Sequence, residues 1–148
     1  MSESPPSSPP SKLDYEGLAD FRYRLRRFLR FSEELTQSQG ITPLQYLLLL
    51  QIKGYPGREW ATIAELAERL QAHHHGVVAL TSRCEKAGLV GRRPGRDDKR
   101  CVEVYLLPKG EELVRRLVMM HHDQVTELQR VLTSPFEQFP THSDFYVG

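Results

Sequence analysis

Two helical periods separated by a very short link constrain this chain more than any other feature. In "TIAELAERL" (62–70), Ile63, Leu66, Ala67 and Leu70 fall at i, i+3, i+4 and i+7, one apolar stripe along a helix. Thr62 can cap that helix, and Glu65 three residues later completes a capping box. The link "QAHH" (71–74) leads into a second period, with Val77, Leu80, Thr81 and Cys84 on its inward side. Gly88 followed by Leu89 predicts a Schellman-type stop, with a hydrophobic residue after the glycine.

The segment that follows, "LVGRRPGRDDKRCVEVYLL", has two β-prone stretches, 89–93 and 101–107, around a polar tip containing proline and glycine. Helix, short link, helix and basic hairpin is the order of a winged helix-turn-helix. In that arrangement the second helix enters the DNA major groove, and the hairpin reaches the backbone or minor groove beside it. The whole chain of 148 residues carries a net charge of only +1, so the case for a polyanionic partner rests on segregation. From His73 to Arg100 there are seven basic and three acidic residues, a net of +4; from Lys109 to Gly148 there are four basic and six acidic, a net of −2.

The flanks are long and helical. "MSESPPSSPPSK" (1–12) reads as a disordered Pro/Ser-rich tail. From Tyr15 to Gln37, Leu18, Phe21, Leu25, Phe28, Leu29 and Leu35 mark one amphipathic helix. "TPLQ" (42–45) is a helix start with Thr42 as cap, Pro43 in the first turn and Gln45 closing a capping box. The run "LQYLLLLQI" after it is apolar nearly all round and predicts the buried centre of the fold. "YPGREWA" leads through a loop to a short extended piece around Trp60. Pro108 opens a last helix to about Leu132, with Leu113, Leu117, Met120, Leu128 and Leu132 on one face; the tail after it has no assignable structure. The expected class is mainly α with a small β-hairpin wing (α+β). Residues 13–148 form a single domain: a lobe over 40–107, with 13–39 and 108–148 as flanking dimerisation helices and tail.

Three consecutive histidines, His73 to His75, open the second helix of the pair. Neighbours on a helix point about 100° apart and cannot converge on one ion, so a metal site is not expected. With Val77, Leu80 and Cys84 inward, the opposite side carries His75, Val78, Ala79, Ser82 and Lys86, with Arg83 at its margin, and His74 and His75 lie in the first turn. A solvated helix end is the plainer alternative to a DNA-reading surface. At the hairpin tip the candidates are Arg96, Asp98, Lys99 and Arg100, against the plainer reading of a charged solvated turn.

Several stretches together carry a specific likeness: "ITPLQYLLLL", "IAELAERL", "LTSRCEKAGLVGRR", "GRDDKR" and "LLPKGEEL". From about Arg26 to Leu113 the chain resembles the MarR (multiple antibiotic resistance regulator) family of bacterial transcription factors. The resemblance implies an obligate homodimer formed by the terminal helices. It also implies a pseudo-palindromic operator with half-sites about one helical turn apart. It implies a ligand-responsive regulator, most often a repressor, with a small aromatic effector bound between the dimer helices and the DNA-binding lobe. Tyr23, Tyr46 and Trp60 are candidates to line that pocket, although aromatics at helical spacing are more often core. At the wing it implies that Asp98 orients an arginine and that one arginine, Arg100 or Arg96, enters the minor groove. The family often has threonine and arginine where this chain has Val78 and Ala79, which shifts expected base readout toward the histidines and Arg83.

Other classes have little support. There is no nucleophile motif, phosphate loop or convergent carboxylate pair, so no enzyme, catalytic residue or cofactor is expected. Two cysteines are too few for a disulfide framework. Cys84 sits on the inward stripe, and Cys101, after Arg100, is the one placed for redox sensing, where a structural role is the simpler reading. With no run of membrane-span length and no basic-then-apolar leader, a cytoplasmic location is expected. A winged-helix module that binds proteins rather than DNA is the main alternative.

Overall fold

The computed structural model describes residues 8–133, with side chains through Arg130. Its elements, in chain order, are α1 (Lys12–Ser38), α2 (Pro43–Lys53), β1 (Trp60–Thr62), α3 (Ile63–Leu70), α4 (His74–Lys86), β2 (Val90–Pro94), β3 (Val102–Leu106) and α5 (Pro108–Thr133). They form two compact units, one of residues 32–120 and one built from the first part of α1 and the end of α5. The last predicted face residue, Leu132, has no described side chain, and residues 1–7 and 134–148 of the two tails lie outside the described residues.

In the larger unit, side-chain caps set the helix starts. Thr42 Oγ1 accepts from the Gln45 N–H (3.1 Å) while Gln45 Oε1 accepts from the Thr42 N–H (2.9 Å). The same box recurs at α3, with Glu65 N–H to Thr62 Oγ1 at 3.2 Å and Thr62 N–H to Glu65 Oε1 at 2.9 Å. The link between α3 and α4 is Gln71–His73, one residue shorter than the sequence suggested. Gln71 takes a left-handed conformation (φ 50°) that reverses the chain at once. α4 ends in the expected Schellman motif: Leu89 N–H bonds Cys84 O (2.9 Å) and Gly88 N–H bonds Glu85 O (3.0 Å), with Gly88 at φ 74°.

The hairpin strands β2 and β3 pair antiparallel, and β1 adds to the other edge of β3, giving the order β1-β3-β2. One sheet face carries Ala61, Val104 and Val90, all fully buried, against Leu48, Leu49, Ile52, Leu66 and Leu80 of the helices. Removing a side chain of this size from water stabilises by about 1.5–3 kcal/mol each, so this cluster dictates which side of every helix faces in. α2 is less enclosed than its composition suggested, because Leu44 and Leu47 remain exposed.

The smaller unit begins earlier than expected. Ser11 caps α1, its N–H donating to Asp14 Oδ2 (2.7 Å) and its Oγ accepting from the Asp14 N–H (3.3 Å), so Lys12 is helical rather than tail. Phe28 and Phe31 pack on the buried His121 of α5, with ring centroids 6.2 and 5.9 Å away. His121, not Met120, is the buried residue at this level of α5. The face set by Leu113, Val114 and Leu117 is centred nearer to position 121, and Met120 stays exposed. Leu18 and Leu29, predicted on the apolar stripe of α1, are half exposed, at 54% and 50%.

Candidate nucleic-acid interface

α4 is rotated by its core stripe. Val77, Leu80, Thr81 and Cys84 are all buried, as the periodicity required. Burial pushes the Cys84 thiol up to about 11, which leaves it an inert packing residue at neutral pH. The outward side therefore presents His74, His75, Ala79, Arg83 and Lys86, all exposed. Unlike α2 and α3, α4 begins without a side-chain cap: His73 stands at the N-cap and makes no capping bond. The rings of His73 and His75 stack, 5.8 Å apart and 7° from parallel, at this open end.

Two of the residues predicted to read bases are placed differently. Val78 is half-buried against the core. Ser82 donates its hydroxyl to Val78 O (3.0 Å) and accepts from Nη2 of Arg92. Both lie at the edge of the inward stripe, so the exposed readout surface is narrower than the helical wheel implied.

The wing tip is a tight turn. Gly95 N–H bonds Cys101 O (2.8 Å) and Cys101 N–H bonds Asp98 O (3.0 Å). A Cβ at Gly95 would lie 2.3 Å from Asp98 O, so only glycine fits. Asp98 grips Arg100 through a fork, Nε to Oδ1 and Nη2 to Oδ2 both at 3.1 Å, and its Oδ1 also accepts the Arg100 N–H (3.0 Å). These contacts hold the Asp98 carboxyl below its ordinary range. The Arg100 side chain is nevertheless 91% exposed, oriented but not covered. Arg96 and Lys99 are exposed and form no ion pair among the described residues.

Below the tip, two more arginines that contribute to the local charge are engaged inside the lobe. Arg93 pairs with Glu103, its direct cross-strand partner, at 2.9 Å, and lies over the Tyr105 ring at 5.0 Å. Glu103 is buried and also accepts the Arg96 N–H (3.1 Å), which ties the tip backbone to β3. Sequence reasoning missed Glu103; pairing 89–93 with 101–107 in register would have found its opposite charge facing Arg93. On the same face of the sheet, at its β1 edge, Arg58 stacks on Trp60 (3.8 Å) and Tyr55 (4.3 Å) and pairs with Glu65.

Of the three aromatics proposed to line a pocket, Tyr46 and Trp60 lie in the larger unit and Tyr23 in the smaller. Tyr46 is buried in the core of the lobe, and burial raises its hydroxyl above the ordinary range. Trp60 carries Arg58 on the outer face of the sheet. Tyr23 lines a cleft of about 330 Å³ in the smaller unit with Asp20, Arg24, Arg27 and Phe28. Among the described residues, no group of three His, Cys, Asp or Glu side chains could hold a metal ion, and no helix is long and apolar enough to cross a membrane.

Residues 39–100, from the end of α1 through α4 to the wing tip, match the family model described as MarR family. Through this lobe the chain is similar to the MarR family. It is 27% identical over 78 residues to the HTH-type transcriptional repressor MdtR of Bacillus subtilis, a match covering 53% of this chain and 48% of that relative. The chain thus spans about half the length of that relative. The fold is shared with AbsC, a MarR family transcriptional regulator from Streptomyces coelicolor, at a TM-score of 0.71 and 20% identity over 88% of each chain. It is also shared with a mutant MarR from E. coli complexed with operator DNA, at a TM-score of 0.63 and 24% identity over 76% of this chain and 79% of that one.

Proposed function

We propose that this chain is a MarR-family homodimeric transcriptional repressor that binds a pseudo-palindromic operator through α4 and the wing. The observation that carries the reading is the Asp98–Arg100 fork, a wing-tip guanidinium held in one orientation yet left open to solvent. Arg100, rather than Arg96, is then the arginine for the minor groove, while Arg96 and Lys99 contact phosphates. In the major groove, His74, His75, Ala79 and Arg83 face the bases, and the uncapped N–H groups of α4 suit a backbone phosphate. The E. coli MarR bound to operator DNA, which shares the fold, supports the same use of this lobe.

A second copy would cover Leu18 and Leu29, which a single chain leaves in water. The cleft beside Tyr23, walled by Arg27, Glu127 and the Arg24–Asp20 pair, is a place for a small aromatic effector.

In vitro selection from a random duplex pool tests the reading. The expected outcome is an enriched sequence with two inverted half-sites about one helical turn apart, bound by a dimer. Recovery of no preferred sequence would favour the reading of a winged-helix module that binds proteins.

A further inference from the structure

Arg92 stands where an arginine is poorly accommodated. Its cross-strand partner is Val104, which pairs in turn with Ala61, so it occupies the row of the sheet face that packs on the core. Its side chain is about three-quarters buried (26% exposed). From there the guanidinium crosses to α4: Nη2 donates to Ser82 Oγ, and Nε lies 3.6 Å from the Glu85 carboxylate. The Ser82 hydroxyl passes the contact on to Val78 O at 3.0 Å, in the second turn of α4. A valine at this position would fill the same row without desolvating a cation, so core stability alone does not account for the residue.

The geometry points to Arg92 as a specificity-determining positioning residue. It fixes the rotation and height of α4 against the wing strand, so that the base-facing side chains and the wing tip meet DNA as one rigid unit. Ser82 is then the anchor for Arg92 and not a base contact. This rests on the operator-binding reading above. Because Arg92 faces α4 and not solvent, it contributes to discrimination between sequences without neutralising a phosphate.

The test measures affinity for the selected duplex and for a scrambled one, across salt, for the wild type, Arg92→Met, Ser82→Ala, the double variant and Arg92→Lys. In Arg92→Met, affinity for the selected duplex is expected to fall about tenfold while scrambled-duplex affinity and the salt slope hold. The double variant is expected to match Arg92→Met, because both changes break one contact. Arg92→Lys, which keeps one donor, is expected to recover part of the selectivity. Equal losses on both duplexes with a flatter salt slope would overturn the proposal by making Arg92 a phosphate contact. Additive losses would overturn it by making Ser82 an independent base contact. If Arg92→Met fails to unfold cooperatively, Ser82→Ala against Ser82→Ala/Arg92→Lys gives the same comparison. Absence of selective binding by the wild type would instead overturn the operator reading itself.

Discussion

The base and the tip of the wing use the same side chain in opposite ways. At the base, Arg92 and Arg93 are held by Ser82, Glu85 and the buried Glu103, and Arg93 lies over an aromatic ring. At the tip, a few residues on, Arg100 is gripped by Asp98 but exposed, and Arg96 contributes only its backbone N–H to the framework. A count of basic residues treats all four alike. The difference lies in strand register: alternate residues of β2 face α4 or the outer sheet surface, where partners wait, while the turn has neither face. The lobe's net charge therefore overstates what it leaves free for a polyanionic partner, and the charge that remains is concentrated at one place.

This contrast can be attacked first at the tip. Arg100→Ala is expected to weaken binding to the selected duplex by about 100-fold, since a dimer loses the contact in both half-sites, with thermal stability unchanged. A loss of stability instead of affinity would put Arg100 with the base arginines. Framework pairs should show the reverse pattern, and Arg58–Glu65 is the sharpest case. Burial alone would raise the Glu65 carboxyl, but hydrogen bonds from the Tyr55 hydroxyl, the Thr62 N–H and Arg58 outweigh it and bring it down to about 2. A carboxyl lowered in the folded state stabilises fully above its unfolded value and loses that contribution as pH falls through the folded one. Wild-type stability should then decline from about pH 4.5 toward about pH 2 by about 2–3 kcal/mol more than that of Glu65→Gln. Parallel acid denaturation curves for the two proteins would contradict the assignment. A smaller effect is expected from Gly95→Ala, which pushes a Cβ into Asp98 O and must displace the tip. Affinity should drop about tenfold with little change in melting temperature. Unchanged affinity would show that the tip tolerates rearrangement.

Much of the lobe was legible in the sequence, for local reasons. Two capping boxes, a Schellman glycine, the inward stripe of α4 and the hairpin each depend on residues within a few positions of one another, and each stands where the pattern put it. What escaped depended on contacts between elements or on competing local signals. Ser11 starts α1 inside a Pro/Ser-rich stretch whose composition spoke for a tail. Gln71 adopts a left-handed conformation that glycine or asparagine would have signalled. Val78 and Ser82 looked solvent-facing on a helical wheel, but the core and Arg92 claim them from another element. Tyr46 was a candidate pocket residue by type alone, and type does not specify burial in the core.

The most direct test of the account is the salt dependence of binding to the selected duplex for three proteins: the wild type, Arg96→Ala/Lys99→Ala at the tip and Arg93→Met at the base. Each phosphate contact contributes about 0.9 to the slope of log affinity against log salt. The tip variant is predicted to flatten that slope by about 1.8 per wing engaged, while Arg93→Met leaves it at the wild-type value. A slope that falls with Arg93→Met and stays put in the tip variant would contradict the account.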